Sequence, residues 1–152
     1  VIFDTDIFIW IQRGNKKAAE LVNKTNERYL SIQIYMELLQ SADNKNQHEY
    51  IKDFISSYGF IILPFTENIG HRASIYIEEY TLSSGLRAGD AIIAATAVEN
   101  NMTLVSSNAK HFKPIKELRL KVFRPYRIRA GRNVKDNRIH GLCALNVQRP
   151  SV

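Results

Sequence analysis

The chain has 152 residues, 45% hydrophobic and 24% charged, which suits one soluble domain with a sizeable core. Neither a bilayer-crossing segment nor a cleavable leader is expected, and the single cysteine, Cys143, excludes an intrachain disulfide and a thiolate metal cluster; a cytoplasmic address is the simplest reading. The net charge of +6 would suggest an acidic partner, but residues 127–152 carry six of the 21 basic side chains and one of the 15 acids, so the body is nearly neutral and its charge argues for no partner.

In chain order, VIFDTDIFIWI predicts a buried strand over residues 1–4, followed by helical segments at 7–12 and 16–25 broken at Gly14 and Asn15. Tyr29 to Ser31 reads as a second strand leading into a helix through SIQIYMELLQSA. A polar helix follows at about 47–57, then a strand in FIILP stopped by Pro64. Thr66 is placed to N-cap a helix that runs to about Ser83. GDAIIAATAVEN reads as an Ala-rich buried helix, TLVSS as a fourth strand and LRLKVF as a fifth. This alternation predicts an α/β fold, a parallel sheet of four to five strands covered by helices on both faces, with its functional cleft at the carboxyl ends of the strands. Beyond Pro125 the periodicity is lost. Residues 1–126 are therefore read as one domain and 127–152 as a basic C-terminal extension, flexible or weakly structured.

Most of the acids stand among polar neighbours, but three places differ. Asp4, with Asp6 beside it, ends an apolar strand; Glu37 interrupts the apolar run IYMELL; Asp90 opens GDAIIAATA. Each has an ordinary explanation alone: a hydrogen-bonding group starting a loop, a solvent-facing helix position, and an N-cap. An unpaired buried carboxylate costs several kcal/mol, roughly, so three such sites at one sheet edge are more economically explained by a shared cation. An all-oxygen set without cysteine points to Mg²⁺ or Mn²⁺, and such an ion points to phosphodiester hydrolysis. The four histidines form no ligand set, and a surface role is expected for each, His111 included.

At these residues the sequence resembles a known family. FDTDIFIWIQRG, SIQIYMELLQSADNK, GDAIIAATAVEN and TLVSSNAKHFKPIKELRLKVFRP are similar, in order and spacing, to the PIN-domain ribonucleases, and within them to the VapC-type toxins of VapBC toxin–antitoxin pairs. The resemblance implies a three-layer α/β/α domain, a Mg²⁺- or Mn²⁺-dependent endoribonuclease leaving 5′-phosphate and 3′-hydroxyl ends, a homodimer, and a cognate VapB-type antitoxin. It implies metal ligation by Asp4, Glu37 and Asp90. Asn108 takes a fourth position where many members carry Asp, which removes one charge. Thr5, Asp6 and Ser106 take supporting positions. For RNA contact the expected side chains are Arg13, Lys16, Lys17, Arg87, Lys110 and Lys113, which would position rather than specify.

Two other readings compete. DTDIF also resembles the opening of haloacid-dehalogenase-like phosphatases, but Phe8 stands where that family needs Thr or Val, and the late lysine and acidic pair are missing. The alternative from a different class is a catalytically impaired PIN-like module that binds RNA or protein, for which Asn108 leaves room. A partner helix could use an apolar groove built from some of Phe8, Ile9, Trp10, Tyr35, Met36 and Leu39, most of which are expected in the core.

Overall fold

The computed structural model describes residues 1–125; the extension expected at 127–152 lies outside them. Along these residues run β1 (Ile2–Phe3), α1 (Thr5–Gln12), α2 (Lys16–Asn23), β2 (Tyr29–Ser31), α3 (Ile32–Gln40), α4 (Lys45–Ser57), β3 (Ile61–Leu63), α5 (Glu67–Ser84), α6 (Ala88–Glu99), β4 (Leu104–Ser106), α7 (Ala109–Phe112) and β5 (Leu120–Val122). The strands form one parallel sheet in the order β3-β2-β1-β4-β5. Its connections run one way from β1 to β2 to β3 and the other way from β4 to β5. Right-handed crossovers therefore put helices on opposite faces, which makes three layers. The direction reverses between β1 and β4. In an open parallel sheet the crevice for a ligand lies at that reversal, beyond the carboxyl ends of the two strands.

Local chemistry fixes where the helices start. Asp4 caps α1, Asn15 caps α2, Ser31 caps α3, Asn44 caps α4 and Thr66 caps α5, each through a side-chain oxygen that accepts a backbone N–H. The first helix thus begins at Thr5, two residues before the sequence pattern suggests. Between α1 and α2 the chain turns at Gly14, whose φ of 76° favours glycine.

Strand β1 is central and covered on both faces, so Ile2 and Phe3 are both fully buried rather than alternating. Phe3, Phe8, Phe54 and Phe60 form a ring cluster beside it, with Phe3 edge-on to Phe60 at 6.0 Å. Alanines 91, 94, 95 and 97 of α6 are all buried, and their small size lets that helix lie close against α5. Four polar side chains are buried among the described residues: Asp4, Ser31, Thr96 and Ser106. Ser31 is a cap and Thr96 donates to the Ile92 carbonyl at 2.7 Å, so both are accounted for locally. Asp4 and Ser106 are left, and they meet each other.

Candidate active site

Asp4 follows β1 and is only 6% exposed. Its Oδ1 accepts the Thr5 N–H at 2.7 Å and its Oδ2 accepts the Ser106 hydroxyl at 2.6 Å. These bonds favour the charged form, but burial and then the nearby Asp6 charge outweigh them. With a further push from Asp90, the Asp4 carboxyl rises to about 7. A carboxylate in this position meets other carboxylates rather than a basic partner. Ser106 closes β4, the strand on the other side of the reversal, so the pair sits at the crevice that topology predicts.

Asp6 organises the turn after β4. Its Oδ2 accepts from the Ser107 N–H at 2.7 Å, the Asn108 N–H at 3.0 Å and the Ser107 hydroxyl, with Ser106 Oγ at 3.3 Å. The Ser106 hydroxyl oxygen in turn accepts the Asn108 N–H at 2.9 Å. Asp6 Oδ1 is buried and has no hydrogen-bond partner among the described residues. One oxygen of this carboxylate is saturated and the other is an acceptor with no donor.

Glu37 arrives from α3. Its Oε2 accepts the Thr5 hydroxyl at 2.5 Å and its Oε1 accepts the Gln33 amide at 2.9 Å. Thr5 therefore joins the two carboxylates, with its N–H on Asp4 and its hydroxyl on Glu37. Gly89 in the first turn of α6 presses against the same group: a Cβ there would stand 3.0 Å from Glu37 Oε1. This close approach draws α6, and with it Asp90, to the Glu37 side of the crevice. Asp90 is the third residue of α6, and the cap position belongs to Arg87, whose side chain makes no capping bond.

Asp90 Oδ2 lies 2.9 Å from His111 Nδ1. A carboxylate can only accept, so Nδ1 carries its proton toward Asp90. The Asn108 amide nitrogen lies 3.2 Å from the same ring nitrogen, and a half-turn of that amide would give Nδ1–H a second acceptor. His111 is thus a half-buried member of the site and not the surface residue that the sequence suggests. Finding it required α7, a four-residue helix too short to show a period. Of the expected RNA contacts, Arg13, Lys16, Arg87, Lys110 and Lys113 are exposed. Arg13 stands over the Trp10 ring at 5.5 Å, while Lys17 donates to the Arg124 carbonyl at 2.9 Å.

The donors gathered here are oxygens from Asp4, Asp6, Glu37 and Asp90. Among the described residues no three His, Cys, Asp or Glu side chains stand as a ready metal cage. Mg²⁺ does not need one, because it is held by one or two carboxylates and completes its shell with water and phosphate. The orphan Asp6 Oδ1 and the mutual repulsion at Asp4 are what a cation would relieve, so the residues present fit such an ion.

The family profile for the PIN domain matches residues 1–118. The chain belongs to the PIN-domain family. Within it, this PIN domain is 32% identical over 125 residues to the ribonuclease VapC1 of Rickettsia felis, with 78% of this chain and 92% of that one covered. It is 31% identical over 129 residues to a ribonuclease VapC of Rickettsia bellii, again covering 78% and 92%. Among solved structures, it is similar to a toxin–antitoxin complex from Klebsiella pneumoniae, at 28% identity and a TM-score of 0.67, covering 83% of this chain and 98% of that one. It is also similar to VapBC2 of Rickettsia felis bound to a DNA fragment from its promoter, at 25% identity and a TM-score of 0.66, covering 81% and 98%.

Proposed function

We propose that this PIN domain is the endoribonuclease toxin of a VapBC-type pair, with Asp4, Glu37 and Asp90 as the residues that hold Mg²⁺ or Mn²⁺. The observation that carries the reading is Asp4: a carboxylate 6% exposed, placed at the sheet's reversal point and facing the charges of Asp6 and Asp90. The two VapC relatives are ribonucleases, which supports RNA as the substrate. A divalent ion bound there would polarise a water and offset charge at the scissile phosphate.

The chain's own residues do the positioning. Ser106 and Thr5 fix both oxygens of Asp4, and Thr5 also fixes Glu37. Asp6 holds the turn that carries Asn108, and His111 aligns Asp90. Asn108, neutral where an acid would add charge, leaves the site with one negative group fewer. With a divalent ion held by Asp4, Glu37 and Asp90, a phosphodiester would lie beside them at the carboxyl ends of the strands, and hydrolysis there would leave a 5′-phosphate and a 3′-hydroxyl.

As partner we propose a VapB-type antitoxin, in keeping with the complexes that this fold resembles. Ile9 and Met36, 38% and 46% exposed, are apolar side chains on α1 and α3 that a partner helix could cover, whereas Phe8 is core. A homodimer in the cytoplasm completes the reading; among the described residues no helix is long and apolar enough to cross a membrane.

The test is RNA cleavage by the full chain with Mg²⁺, with Mn²⁺ and with EDTA, beside Asp90→Asn. Metal-dependent cutting that vanishes in the variant and leaves 5′-phosphate ends is the expected result. Equal cutting by both proteins would refute it. RNA binding without cleavage under either metal would favour the binding module instead.

A further inference from the structure

A basic cleft lies on the β5 side of the acidic site. Lys17 and Leu21 on one face of α2, with the C-cap Lys24, stand off from Lys121 of the edge strand β5 and from Phe123 and Arg124 after it, leaving a cleft of about 430 Å³. That volume is within the range of roughly 300–1,000 Å³ typical of small-ligand sites. Its interior is apolar, from Leu21 and the buried Phe123, and its rim is cationic. The one acid on the rim, Glu20, lies 3.5 Å from Lys24, and among the described residues no carboxylate pairs with Lys121 or Arg124. Lys17 is spent on the wall: it donates to the Arg124 carbonyl and stands 5.8 Å from the centre of the Phe123 ring.

The wall of the cleft is bonded to a residue of the site. Phe123 N–H donates to the Ser106 carbonyl at 2.8 Å, and the Ser106 hydroxyl holds Asp4. We infer that this cleft is a nucleotide subsite of the proposed ribonuclease: it takes one base of the single-stranded RNA next to the cut against Leu21 and Phe123, and the adjoining phosphates against Lys24, Lys121 and Arg124. An apolar wall with a cationic rim matches a base flanked by phosphates, the pattern of single-strand binding surfaces. The chain's own residues 127–152, with six basic side chains and one acid, have the wrong charge to be the occupant.

The inference rests on the ribonuclease reading, and the experiment separates the two. The probe is a labelled single-stranded RNA of mixed sequence, titrated by fluorescence anisotropy into full-length Asp90→Asn protein with and without the pair Lys121→Glu and Arg124→Glu. The same pair is assayed for cleavage in the otherwise unaltered protein. The expected result is at least roughly tenfold weaker binding, with the slope of log K against log salt reduced by about 0.7 for each phosphate that is no longer neutralised. In cleavage, KM for the long RNA rises while kcat and the melting temperature are kept. Leu21→Trp, which fills the cleft without altering charge, should give the same rise in KM. Cleavage by the unaltered protein with no change in binding or KM in either variant overturns the subsite and leaves the nuclease standing. Binding that weakens in a protein that never cleaves keeps the cleft as an RNA site and overturns the nuclease. Loss of a co-purifying protein with RNA binding intact overturns the subsite in favour of a protein interface.

Discussion

In protein stripped of divalent ions, the charge on Asp4 should make the fold less stable as the solution becomes more alkaline. The carboxyl has an ordinary value of 3.8 and is pushed to about 7 in the folded chain, so between those limits the folded state binds more protons than the unfolded one. Stability from this group is therefore complete below about pH 4, declines across the interval, and is gone above about pH 7. The interval corresponds to about 4 kcal/mol, and Asp4 is buried deeply enough that solvent screening subtracts little. Asp4→Asn removes the titration. It also leaves the Ser106 hydroxyl facing an amide that can supply one acceptor only, a loss of about 1–3 kcal/mol. The variant should thus be less stable than the parent near pH 4, where little of the Asp4 contribution has been lost, and more stable near pH 8. Urea unfolding of both proteins in EDTA at several pH values measures the difference, in which the other titrating groups largely cancel. Adding Mg²⁺ at pH 8 should stabilise the parent more than the variant. A difference between the two proteins that stays flat from pH 5 to pH 8 would refute the argument that Asp4 is held buried against its charge.

Four substitutions probe the neighbours. Thr5→Val keeps the shape and removes the hydroxyl on Glu37; activity should fall roughly tenfold while the melting temperature is nearly unchanged, as steady-state assay and calorimetry would report. Gly89→Ala should gain about 0.5–1 kcal/mol of helix stability in urea unfolding, yet lose activity, because the new methyl displaces the Glu37 carboxylate and not backbone. Ser106→Ala removes the side-chain hydroxyl that donates to Asp4, so NMR titration should find the Asp4 carboxyl above 7 and the fold weaker by about 1–3 kcal/mol. His111→Phe keeps a ring in place but no donor to Asp90; the Mg²⁺ concentration giving half-maximal cleavage should rise roughly tenfold or more.

The sequence pattern places the five strands and the longer helices well because each carries a local signal. Val1 to Phe3 form an apolar run stopped by an acid, Thr66 stands three residues before a helical period, and the alanines of α6 announce close packing. Asp4 stands out for the same reason, as a charge at the end of a buried strand. What the pattern does not carry is how the acids are held. The Thr5 link to Glu37 spans 32 residues and the His111 link to Asp90 spans 21, and neither has a spacing that sequence could reveal. Nor does sequence distinguish Asp90 as a cap from Asp90 as the third residue of α6. That distinction depends on Gly89 fitting beneath Glu37, which is a matter of tertiary packing.

The bonds that join the start of the chain to the turn after β4 have a consequence for the order of events during synthesis. Asp4 meets Ser106 across 102 residues, and Asp6 meets Ser107 and Asn108 across 101 and 102. A nascent chain halted anywhere before that turn lacks the groups that fix both aspartates, however well its first helices have formed. Pairings so distant in sequence form late. Broken or unfinished copies of this protein should therefore lack an assembled site, and the proposed ribonuclease activity should arrive only once the ribosome has delivered nearly the whole domain.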